Sequence, residues 1–227
     1  VLSNHLFFAA RAGASLAGEG WPAEAAARAA RLAPRVAPEP GTLDRLIEDA
    51  VGLDAFSIAA FRQAFRADGP RLSLLYLPGL DILGTALADA RLSSADRVVI
   101  ATAITGEAQK IQAFLDDPAL RQSVDLLATF LDGGRHEHGG ALRLEGPLAA
   151  TSAPSSVRPI DVMPTLLAAL GIPASREAEG RVVPELLQAG AVTTRSVPTW
   201  GRRRSEAAMA IDPKEYVENL RSLGYLK

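Results

Sequence analysis

The spacing of apolar and polar positions changes several times along the chain, and each change predicts an element. The Ala- and Arg-rich stretch over 22–32 has helical composition, with Pro22 suited to a first turn. The proline- and glycine-containing run over 36–41 cannot continue that helix. Thr42 then reads as the N-cap of a helix over 43–51, with Arg45 and Asp49 on its polar face. Phe56, Ala60, Phe61, Ala64 and Phe65 recur at helical spacing, which predicts a further, core-facing helix over 55–66.

After residue 70 the helical rhythm lapses. The apolar run over 72–77, closed by Pro78-Gly79, predicts a buried strand. A long helix is expected over 98–115, broken around Thr105-Gly106. A second buried strand is expected over 125–131, ending in Asp132-Gly133-Gly134, and a short third one over 141–144. Residues 160–171 read as a helix with Gly171 at its C-cap. Residues 188–213 read as a loop or extension and 213–223 as a last helix ending at Gly224. Strands alternating with helices predict an α/β fold class: a mostly parallel sheet with helices on both faces. The expected division is a helical cap-like segment over 1–70, an α/β core over 71–187, and an extension with a terminal helix over 188–227.

Composition narrows the chemistry. At 48% apolar residues over 227 positions, a packed core is readily built. The formal net charge of −2 gives the chain no basic footprint for a nucleic-acid backbone. With no cysteine, disulfides, thiolate zinc sites and a cysteine nucleophile are excluded. No apolar run approaches the roughly 20 residues that span a bilayer, which leaves the cytoplasm, the periplasm or secretion as expected locations. Val1 opens without an initiator Met or a signal-like run, so the sequence is expected to begin upstream.

Ligands in open α/β sheets gather at the carboxyl ends of strands. Two predicted strands lead into an Asp near a glycine: Asp81 after Pro78-Gly79-Leu80, and Asp132 before Gly133-Gly134, with His136 and His138 soon after. Carboxylate and imidazole donors brought together suit Zn²⁺ or Mn²⁺. The same residues also read as turn formers and as solvated histidines in a glycine-flanked loop. His5 reads as structural, Arg202-Arg203-Arg204 as a solvated charge run, and Ser152, Ser155 and Ser156 lack any nucleophile context.

The run Tyr76 to Gly84, with Asp81 inside it, resembles the strand and loop of type I phosphodiesterases and nucleotide pyrophosphatases of the alkaline phosphatase superfamily. Asp132-Gly133-Gly134 resembles that family's Asp-His-Gly, and the stretch from His136 to Pro147 resembles its His, spacer, Gly, short strand and Gly-Pro. Asp161-Val162-Met163-Pro164-Thr165-Leu166-Leu167, with Gly171-Ile172-Pro173 and Glu179-Gly180-Arg181, resembles the structural segment that follows; the run 161–167 with Gly171-Ile172-Pro173 is the most specific piece. Leu223-Gly224-Tyr225 is similar to a terminal motif of these hydrolases and of sulfatase-like relatives.

The resemblance implies an alkaline-phosphatase-like sheet and a zinc centre that activates a Ser or Thr nucleophile for attack at phosphorus. It implies Asp81, Asp132 and His136 as metal ligands and a phosphate ester or nucleotide-like small molecule as partner. Thr85 and Gly133 stand where the family carries histidines, and the first Asp and the nucleophile have no counterpart. The expected protein is therefore phosphodiesterase-like and catalytically impaired. The competing expectations are an active metal-dependent phosphoric ester hydrolase with its nucleophile upstream of Val1, and a sulfatase-like hydrolase or transferase.

Overall fold

The computed structural model describes residues 7, 10, 23–33, 42–131, 140–151, 156–190, 192 and 195–201. The chain divides into two units, Val1–Ala153 with Leu186–Gln188, and Pro154–Glu185 with Ala189–Lys227.

The first unit is built on helices: α1 (Ala23–Ala30), α2 (Leu43–Asp68), α3 (Gly79–Leu87), α4 (Ser94–Leu115) and α5 (Pro118–Gln122). Thr42 caps α2 as its residue type predicts, its hydroxyl accepting the Arg45 N–H at 3.2 Å. Arg45 and Asp49 pair one turn apart at 2.8 Å. The two helices expected over 43–51 and 55–66 are one. A single mid-helix glycine costs only about 1 kcal/mol, which packing readily offsets. Gly52 is moreover the residue that fits, because a Cβ there would come within 3.2 Å of the Phe7 ring. The helix stops at Gly69, in the left-handed region at φ 51°, whose N–H bonds the Phe65 carbonyl.

The break expected at Thr105-Gly106 is also absent. Helix α4 starts at Ser93, whose hydroxyl accepts the Asp96 N–H at 3.1 Å, and runs through to Leu115. The Thr105 hydroxyl donates to the Ala101 carbonyl at 3.0 Å, so it bonds within the helix instead of competing with it.

Two apolar clusters hold these helices. One joins α1 to α2 through Ala26, Ala29, Leu53, Phe56 and Ala60, with the Phe7 ring 5.5 Å from that of Phe56. The other joins α2, α3 and α4 through Ala50, Leu83 and Ile100. Phe61 stacks on Phe65 and meets Phe114 edge-on.

The large parallel sheet expected from the sequence is not found: the described strands form two sheets of two strands each. Strands β1 (Leu127–Leu131) and β2 (Ala141–Glu145) lie where strands were expected, but they pair antiparallel, with Thr129 opposite Arg143. The reason lies in the connection. The link over 132–140 is shorter than the dozen or so residues a parallel crossover requires. Nor is β1 buried on both faces, since Phe130 and Leu131 are exposed. The run over 72–77 joins no strand among the described residues. Leu72, Leu74 and Tyr76 are exposed and alternate with half-buried Ser73, Leu75 and Leu77, a one-faced pattern that the continuous apolar sequence concealed. The alkaline-phosphatase-like sheet is therefore corrected to a mainly helical unit carrying a hairpin. Leu186–Gln188 returns to this unit: Gln188 N–H bonds the Leu148 carbonyl and Ala150 N–H that of Leu186.

The second unit holds α6 (Pro159–Ala169), then β3 (Ala174–Ser175) and β4 (Ser196–Val197), a short parallel pair. Helix α6 matches the expected 160–171 and ends as foreseen. Gly171 sits at φ 76°, its N–H bonds the Ala168 carbonyl, and the Ile172 N–H bonds that of Leu167. No helix of the described residues is long and apolar enough to cross a membrane.

Candidate functional site

Of the three expected metal ligands, Asp81 is described. It lies in the first turn of α3, exposed to solvent, where a turn or loop after a strand was expected. Thr85 lies one turn further along and is exposed too. Asp132 and His136 lie outside the described residues, as do Gly133, His138, the run 202–204 and the expected terminal helix over 213–223. Among the described residues no three His, Asp or Glu side chains gather in a way that holds a metal ion.

The start of α3, two residues before Asp81, rests on a buried carboxylate that was not expected. Asp54 projects from the buried face of α2 and is fully inaccessible. Its Oδ1 accepts the N–H of Gly79, the first residue of α3, at 3.0 Å. Its Oδ2 is buried with no hydrogen-bond partner. A side chain on Gly79 would overlap that carboxylate and press on the Ala50 carbonyl, so glycine alone lets α3 begin this close to α2. Burial pushes the Asp54 carboxyl up to about 7; the Gly79 N–H bond opposes this, and the charge of Glu107 adds to it. Glu107, on α4, is itself 1% exposed, with Lys110 Nζ at 3.4 Å. The available signal was an acidic residue beside the apolar positions Ala50, Leu53 and Ala60, in the stretch 52–54 that lies between the two expected helices.

The most specific motif of the sequence is accounted for by hydrogen bonds in the second unit. Asp161, buried on α6, receives a two-pronged hydrogen bond from Arg158, both contacts at 2.9 Å, and the backbone N–H of Arg181 at 2.8 Å. The Arg158 guanidinium, aided by the Arg181 N–H, holds the Asp161 carboxyl below the usual carboxylate range. The buried Thr165 hydroxyl donates to the Asp161 carbonyl at 2.7 Å and accepts the Val183 N–H at 3.0 Å. Pro164 has no N–H for the Ile160 carbonyl one turn back. That carbonyl faces Gly180, where a side chain would overlap it. Asp161, Pro164, Thr165, Gly180 and Arg181 thus act together as a clamp that fastens the 180–183 segment along α6.

Two concavities separate what is structural from what can take a ligand. The pocket beside the clamp, bounded by Arg158, Asp161 and Arg181, is about 240 Å³, below the few hundred Å³ of ordinary ligand sites. The cleft between α2 and α4 is about 860 Å³, within that range, and Glu107 lines it.

No protein-family model matches the chain, and neither a curated protein nor a solved structure does.

Proposed function

We propose that the chain is a phosphodiesterase- or nucleotide-pyrophosphatase-like protein with an impaired metal centre, one that binds a phosphate ester rather than turning it over. The observation that carries this reading is the pair Asp81 and Thr85 on one exposed edge of α3. A carboxylate there is followed, one turn on, by a hydroxyl in place of the imidazole that the resembled motif supplies. A neutral hydroxyl is a poor ligand for a divalent ion compared with imidazole, and Gly133 offers no side chain at all. The Asp161 clamp supports the same reading, because Asp161 and Thr165 of the motif that most resembles the family have hydrogen bonds that give them a structural role.

The test is zinc analysis of the purified full-length protein together with turnover of bis-p-nitrophenyl phosphate. Zinc well below one ion per chain, with hydrolysis at background, is expected. Replacing Thr85→His and Gly133→His together is expected to raise zinc retention by about tenfold or more, the weight that even an outer-shell partner of a metal ligand carries. Stoichiometric zinc with robust turnover by the unaltered protein would overturn the reading.

A further inference from the structure

The cleft between α2 and α4 has a charge pattern that the phosphate-ester reading does not use. From α2, Ile58, Ala59, Arg62 and Arg66 face it at helical spacing; from α4, Glu107, Lys110 and Phe114 do the same. Its lining is mostly apolar, with the buried, Lys110-paired Glu107 at its base, and three cations stand around it, two of which are already engaged. Lys110 pairs with the buried Glu107. Arg62 bonds Asp117 at 3.0 Å and lies over the Phe114 ring, 5.2 Å from its centroid. Arg66 is exposed and has no partner among the described residues.

We propose that this cleft binds an amphiphilic organic anion as a free small molecule, with the headgroup on the Arg66 guanidinium and the apolar body on Ile58, Ala59 and Phe114. A guanidinium receives carboxylate, sulfonate or phosphate oxygens through two parallel N–H donors, which favours an anionic head. The walls are aliphatic and aromatic, which favours an alkyl or aryl body. An organic cation finds no free carboxylate, because Glu107 and Asp117 are both paired. The two-sided shape and the volume of about 860 Å³ suit one small molecule better than a flat membrane surface.

The probe is 1-octanesulfonate, an anion that is not a phosphate ester, titrated calorimetrically into the whole protein. Its outcome is therefore separate from the zinc and turnover test. Saturable binding is expected, with octyltrimethylammonium giving none. Arg66→Ala should weaken binding about tenfold or more, the weight of a charge-assisted hydrogen bond, while Arg66→Lys retains part of it. Ala113→Trp, at an exposed position on the cleft wall, should block binding while leaving the thermal transition in place. Equal binding of the cation, indifference to Arg66→Ala, or unimpaired binding by Ala113→Trp would overturn the proposal. So would Arg66-dependent sedimentation with anionic lipid vesicles in the absence of octanesulfonate binding.

Discussion

Two buried aspartates divide this molecule by how their charge is met. Asp161, in the second unit, is surrounded by donors: the Arg158 fork and the Arg181 backbone N–H hold its carboxyl below the ordinary range. Asp54, in the first unit, is pushed up to about 7 by burial first; its single donor, the Gly79 N–H, opposes this only in part, its second oxygen is orphaned, and the Glu107 carboxylate adds to the rise. The residue type is the same and both are buried. Burial raises both carboxyls, and the donors around each oxygen decide whether that rise is outweighed, as at Asp161, or prevails, as at Asp54.

The two groups act on stability in opposite pH windows. Asp161 has a lowered folded pKa, so its contribution is present above the unfolded value and is lost as pH falls through the folded one. Asp54 has a raised folded pKa: the unfolded chain releases this proton near 3.8, while the folded chain keeps it until about 7. The folded state therefore binds more protons across that interval, and stability falls as pH rises through it.

The largest expected effect follows from this sign. Between about pH 5 and pH 8 the Asp54 carboxyl should cost about 3 kcal/mol of stability, and Asp54→Asn should remove most of that slope. Urea unfolding at the two pH values measures it; an unchanged slope in the variant would break the contrast between the two aspartates. The next largest effect tests whether the second unit depends on its clamp. Gly180→Ala places a methyl on the Ile160 carbonyl and should cost about 2–3 kcal/mol, with little dependence on pH. The smallest separates the clamp's neutral hydrogen bonds from its ionic ones. Thr165→Val leaves the Val183 N–H without its acceptor and should cost about 1–2 kcal/mol by the same unfolding measurement. A null result there would assign the clamp to Asp161 alone.

The parts of the fold that could be read in the sequence were those set by local chemistry. Thr42 announced a helix start, Gly171 a helix end, and Arg45 and Asp49 a polar face, where the two pair half-buried, one turn apart. Segments whose state depends on distant partners were misread. The apolar run over 72–77 has strand composition, yet no local feature says whether another strand lies beside it. Thr105-Gly106 reads as an interruption because local propensity penalises glycine, while the uninterrupted run of α4 overrides that penalty; likewise the helices expected over 43–51 and 55–66 join through Gly52, against which Phe7 packs. Of the candidate site, Asp81 could be located and its exposed place on α3 could not, because that place depends on Asp54 drawing the start of α3 onto α2.

The sequence by itself determined the caps, most helix positions, the absence of thiol chemistry, and the missing imidazoles at Thr85 and Gly133, since these depend on residue identity and near neighbours. Tertiary structure alone decided that β1 and β2 form an antiparallel hairpin, that Gly180 must be a glycine, that an open cleft lies between α2 and α4, and that two buried aspartates carry opposite pKa shifts. Each of these depends on which groups from remote parts of the chain meet in space. Pairing, overlap and desolvation act over a few ångströms, between residues that sequence separation does not order.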